Sequence, residues 1–250
     1  MNLYNRVDAL KAAVDVVRPF EGEYLRQLRQ YYRIELTWTS NALEGNSLTE
    51  LETKILLEDG LTVGGKPLRD TFEALGHSLA HDYMFELLGE RRIAVEDIKT
   101  LHRLFYKGID ETNAGVWRDD SIVVTGTDFV FPAPAELDAL TAELGRWIEA
   151  ERDGLHPIRF AALLHLKFVT VHPFIDGNGR VARLLMNTAL IQDGYLLAVV
   201  PPLLRQEYMA AIRGYQQKGA AEPFCDFIAA RVLESEKEIM RLLHIPPLET

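Results

Sequence analysis

The sequence has a single cysteine, Cys225, so no intrachain disulfide can form and a small secreted domain stapled by such bonds is excluded. Cys225 follows Phe224 in an apolar helical stretch and reads as a packing residue. Long apolar runs are missing too. The most apolar one, Tyr195 to Leu204, is broken by Pro201 and Pro202 and falls well short of the ~20 residues of a spanning helix. Met1 to Leu10 carries Arg6 and Asp8 with no apolar core, so neither a signal peptide nor a membrane partner is expected, and a cytoplasmic location is. Positive charge is scarce: 27 Lys+Arg face 37 Asp+Glu, a formal net charge of −10, which argues against direct nucleic acid binding. No internal repeat or block of like charge stands out.

What is present is ordinary for a globular chain, with 48% hydrophobic and 26% charged residues in 250. Apolar residues recur mostly at helical spacing. One such stretch holds Leu25, Leu28, Tyr32, Ile34 and Leu36, and another Phe72, Leu75, Leu79, Tyr83, Phe85 and Leu88. Further helices are expected near 95–107, 136–150, 157–171, 179–193, 205–219 and 223–243. Gly115 to Pro134 breaks the rhythm. There β-branched Ile122, Val123, Val124 and Thr125 precede Gly126-Thr127-Asp128 and then Phe129-Val130-Phe131, which predicts one β-hairpin at about 121–132 in an otherwise all-α chain. The expected organisation is an N-terminal helical region over 1–69 and a core over 70–250, packed as one unit.

The chemistry-bearing stretch runs from His172 through Pro173, Phe174, Asp176, Gly177, Asn178, Gly179 and Arg180 to Arg183. Pro173 and the glycines place a loop between two helices, so the free amides of a helix N-terminus face whatever the loop binds. Arg180, Arg183 and Asn187 share a face of the following helix, and paired guanidiniums suit a di- or triphosphate. Asp176 beside such an anion suits Mg²⁺, and His172 has the side chain whose ordinary pKa lies near neutrality. A zinc pair of His172 and Asp176 would need a helix that Pro173 and Gly177 oppose. His77 and His81, four apart without further ligands, read as solvated helix positions; His102 and His165 read as packed.

His172 to Arg183 resembles in full the Fic-domain signature, His-Pro-Phe-x-(Asp/Glu)-Gly-Asn-Gly-Arg-x-x-Arg. The resemblance spans roughly residues 70–230, through Gly115-Val116-Trp117-Arg118 and a C-terminal stretch holding Tyr208, Gly219, Pro223 and Phe224. It implies a helical bundle with a β-hairpin flap over the site. It also implies an adenylyltransferase that moves AMP from ATP, with Mg²⁺, to a Ser, Thr or Tyr hydroxyl of a protein and releases pyrophosphate. His172 would be the base, Asp176 the metal ligand, and Gly177, Asn178, Gly179, Arg180 and Arg183 the phosphate site. Tyr208 and Gln216 would line the adenine pocket, Gln216 standing where relatives often carry Asn. The flap residues Ile122, Val123, Val124 and Thr125 would pair with an extended segment of the target.

Ser40, Glu44 and Gly45 in turn resemble the family's inhibitory motif, (Ser/Thr)-x-x-x-Glu-(Gly/Asn), at residues 40–45. By that resemblance Glu44 would pair with Arg183 and hold the enzyme slow, and some relatives use this Glu to remove AMP again. Two alternatives stay open: a relative that transfers phosphocholine or another phosphate-containing group, and a non-catalytic nucleotide sensor. Gly179 opposes the phosphate-transferring branch, which carries Lys there, and intact His172 and Asp176 oppose the sensor. ATP and a hydroxyl-bearing protein are the expected partners, with a second copy of the chain as a further candidate.

Overall fold

A computed structural model describes residues 2–18, 22–62, 64–89, 91–123 and 127–246. Among the described residues ten α-helices follow in order: α1 (Leu3–Asp15), α2 (Gly22–Ala42), α3 (Glu50–Asp59), α4 (Leu68–Glu86), α5 (Val95–Tyr106), α6 (Leu137–Glu151), α7 (Pro157–Val171), α8 (Asn178–Gln192), α9 (Arg205–Lys218) and α10 (Glu222–Leu242). α7 and α8 are the centre of the bundle. Almost every residue of α8 from Asn178 to Leu190 is buried, as expected of a helix covered on all sides. α4, α5 and α7 pack around it, α10 packs on α7, and α1 lies along α10. No helix among the described residues is long and apolar enough to cross a membrane.

Local signals place the helix ends. Thr49 and Glu52 form a reciprocal capping box at the start of α3, and Pro157 occupies the first turn of α7. At the other end of α7, His172 takes the left-handed conformation at φ 50 and turns the chain into the signature loop. Such a conformation is uncommon outside glycine and costs energy that the surrounding contacts must offset.

Three expectations need correction. No β-strand occurs among the described residues, so the expected β-hairpin flap at 121–132 is absent; Val124 and Thr125 lie outside the described residues. An isolated two-stranded ribbon is marginal, and the described residues offer this segment no third strand to lean on. Val123 and Val130 project into solvent at 94% and 88% exposure, while the Arg118 guanidinium binds the carbonyls of Asp120 and Pro132 and so joins the two ends.

The second concerns α4. Its expected apolar stripe, Phe72, Leu75 and Leu79, is partly exposed, and its buried side is made of small and polar residues such as Ala74, Gly76, Ser78 and Ala80. Gly76 explains this, because a Cβ there would stand 2.1 Å from the Phe105 carbonyl oxygen: α4 and α5 touch backbone to backbone. The third follows from the second. His77 and His81 are buried at 1% exposure each, not solvated, on that same close-packed side.

Candidate active site

The loop between α7 and α8 is braced from inside. Asn178 closes it with two bonds to one residue: its Oδ1 accepts from the Phe174 amide at 3.0 Å and its Nδ2 donates to the Phe174 carbonyl at 2.8 Å. Its side chain is therefore spent on the loop, and only its backbone is left to face a ligand. Gly177 has φ 78, and a Cβ there would meet the Phe105 ring at 2.7 Å, so glycine is required on two counts. His102, on α5, stacks on Phe174 with ring centroids 3.7 Å apart. Its Nδ1 accepts from the Gly115 amide, which leaves the Nε2 proton to donate to the Asp176 carbonyl at 3.1 Å.

His172 stands at the head of this loop. Its Nδ1 donates to the Val169 carbonyl at 3.1 Å, which leaves Nε2 as an acceptor, and the Phe131 ring lies 4.6 Å away. Burial pushes the imidazole down to about 4, so it is neutral at physiological pH. The Arg118 guanidinium also reaches the His172 carbonyl at 2.9 Å, tying the turn to both ends of the segment 119–133.

The two arginines of α8 diverge. Arg180 lies over the Phe105 ring, with Nη1 3.0 Å from Glu73 Oε1 and Nη2 3.3 Å from Asp176 Oδ1. Arg183 is buried too and has a different set of partners. It donates Nε to Ser40 Oγ at 2.8 Å, Nη2 to the Ser40 carbonyl at 2.9 Å and to Glu44 Oε1 at 2.8 Å, and Nη1 to the Tyr208 hydroxyl at 3.1 Å. Burial alone would raise the Glu44 carboxyl, but Arg183 and Arg180 outweigh it and hold the group below its ordinary value. The Glu44 carboxylate is therefore ionised at neutral pH.

Gly45, at φ 95, ends the α2 turn just beyond, and Arg205 Nε donates to the Leu43 carbonyl at 2.7 Å, fastening that turn to α9. At Gly179 a Cβ would come within 2.4 Å of Glu44 Oε1. The missing side chain leaves the room that the carboxylate fills.

These groups line one cavity of about 150 Å³, where Glu44, His172, Gly179 and Arg183 meet Tyr208 and Gln216 from α9. Tyr208 is buried and its hydroxyl also bonds His165 Nε2 at 2.7 Å, so only part of it faces the cavity. Thr127 and Phe131 form the wall nearest the segment 119–133. Asn187 is not brought here. It exchanges two bonds with Ala198, at 2.7 and 3.3 Å, and pins the segment after α8.

Sequence reasoning passed over three participants: Arg69 and Glu73 on α4, which reach Asp176 and Arg180, and His102 as a support of the Asp176 carbonyl. Arg69 and Glu73 lie about a hundred positions from the loop and belong to no local pattern. The packing of α4 against α5 and α8 brings them in.

The comparisons decide the family. Residues 92–190 match the model of the Fic/DOC family. Over 225 residues the chain is 35% identical to "Protein adenylyltransferase Fic" of Drosophila yakuba, covering 89% of this chain and 45% of that protein. The chain belongs to the Fic-domain family. It spans about half the length of such fly relatives. Among solved structures, Fic-1 from C. elegans superposes with a TM-score of 0.87 at 27% identity, covering 97% of this chain and 72% of that one. A Fic domain containing signaling protein from Bacteroides thetaiotaomicron gives 0.86 at 27% identity, covering 98% of this chain and 100% of that one. In this Fic chain, then, the signature loop and the 40–45 turn meet across one cavity.

Proposed function

We propose that the chain is a protein adenylyltransferase that moves AMP from ATP to a Ser, Thr or Tyr hydroxyl of a protein, and that Glu44 holds it at rest. The observation that carries this reading is the Glu44 carboxylate on Arg183, pressed against Gly179 in the cavity that also holds His172. A carboxylate there takes the place that a phosphate oxygen would occupy on the same guanidinium.

His172 Nε2 takes the proton of the incoming hydroxyl. Its oxygen forms the bond to the α-phosphorus as the bond from that phosphorus to the β-bridging oxygen breaks, and pyrophosphate leaves. The first amides of α8, together with Arg180 and Arg183, hold the charge that gathers on the leaving group. Asp176 fits Mg²⁺, a hard cation that one or two carboxylates hold together with substrate phosphates. Asp176 would hold the ion together with the phosphates of the nucleotide. When bound, the ion supplies positive charge to the phosphate oxygens.

The test uses the Glu44→Gly form with a cell lysate and ATP labelled on either the α- or the γ-phosphate. Bands labelled from the α position that disappear when His172→Ala is added to the Glu44→Gly form support adenylyl transfer. Bands that depend on the chain but are labelled only from the γ position, or no such bands, contradict it.

A further inference from the structure

This inference rests on the adenylyltransferase reading and concerns the carboxylate that would hold its cation. The two oxygens of Asp176 have different partners. Oδ1 accepts from the Gly177 amide and lies 3.3 Å from Arg180, a guanidinium that is almost wholly buried and packed on Phe105. Oδ2 has one donor among the described residues, Nη2 of Arg69.

Arg69 differs from Arg180 in its freedom. Its side chain is 54% exposed, and its Nε already rests on Glu73 Oε1 at 3.1 Å. Glu73 is itself fixed, since its Oε2 accepts from Asn46 Nδ2 at 2.9 Å and its Oε1 also faces Arg180. Asp176 thus has one oxygen locked into the loop and one held by a partly exposed cation that already has a second anchor in Glu73.

We infer that Arg69 is the resting counter-ion of Asp176 Oδ2, a positioning residue that a divalent cation must displace onto Glu73 when nucleotide binds. A guanidinium and a divalent ion repel one another and compete for the same oxygen, so Arg69 raises the concentration of magnesium the site needs. It does so without touching the nucleotide, so binding of nucleotide without metal is unaffected by its competition.

The experiment titrates Mg²⁺ into the full chain carrying Glu44→Gly, with ADP present, and reads nucleotide binding by calorimetry. Arg69→Met keeps the aliphatic stem and removes the charge. The expected result is a fall of about threefold or more in half-saturating Mg²⁺, the size that a partly exposed ion pair carries, with no gain in ADP affinity in the presence of EDTA. An unchanged magnesium dependence, or an equal gain in EDTA, overturns the assignment of Arg69 while leaving the adenylyltransferase reading intact. No ADP uptake by the parent Glu44→Gly form, with or without magnesium, overturns both.

Discussion

Two walls of the same cavity are built in opposite ways. The signature loop is held by the Asn178 clamp, the His102 bond to the Asp176 carbonyl and the glycine fit against Phe105, so its shape exists before any ligand arrives. The segment 119–133 has Arg118 at its base and two valines in open solvent. Phosphate chemistry needs fixed donors, because a shape already in place costs nothing to reorganise at the moment of reaction. Segment 119–133 is instead tied near its two ends, through the Arg118 bonds to the Asp120 and Pro132 carbonyls.

The largest effect should come from the fixed wall. His172→Ala in the Glu44→Gly form should lower AMP labelling by about 10²–10⁴-fold, the usual contribution of a positioned base, while ADP binding by calorimetry stays near the parent value. Near-normal labelling would remove His172 as the base. Asn178→Ala comes next. It leaves the buried Phe174 amide and carbonyl without partners, so chemical denaturation should show a loss of about 3 kcal/mol. A loss under about 0.5 kcal/mol would mean that the loop keeps its shape without the clamp.

Smaller and different effects are expected of the open wall. Arg118→Ala frees both ends of the segment and should raise KM for a protein target several-fold, about 3–10, with little change in KM for ATP. Equal changes in both would place Arg118 with the fixed wall. The smallest expected effect is in pH. Burial lowers His172 to about 4, so the neutral base is fully present at neutrality and is lost only as pH falls toward that value. The labelling rate of the Glu44→Gly form should be flat from about pH 6 to 8. A half-maximal rate near 6.5 would place the imidazole in an ordinary solvated setting.

The same contrast governs what could be read in advance. The signature loop was legible because its requirements are local: a proline, two glycines and a helix start fix the backbone, and adjacent side chains supply the chemistry. Helices α5 to α10 begin and end within a few residues of their expected places for the same reason, since periodicity and caps are short-range signals. The segment 119–133 misled because β-branched residues set a propensity, whereas a strand needs a partner, and none among the described residues supplies one.

The α4 stripe misled through Gly76. One small residue lets two backbones touch and turns the buried side toward Ala74, His77 and Ala80 rather than toward the leucines. Asn187 followed the helical spacing of Arg180 and Arg183 correctly but is claimed by Ala198. Arg69 and Glu73 were beyond reach because their link to Asp176 and Arg180 is purely tertiary.

We propose closure of the phosphate site by the Glu44 carboxylate on Arg183. It is tested most directly by the initial rate of AMP incorporation from ATP, measured for the unaltered chain and its Glu44→Gly form in parallel. A gain of at least about tenfold in the altered form, a population shift of about 1.4 kcal/mol or more, is the predicted result. Equal rates would contradict the claim.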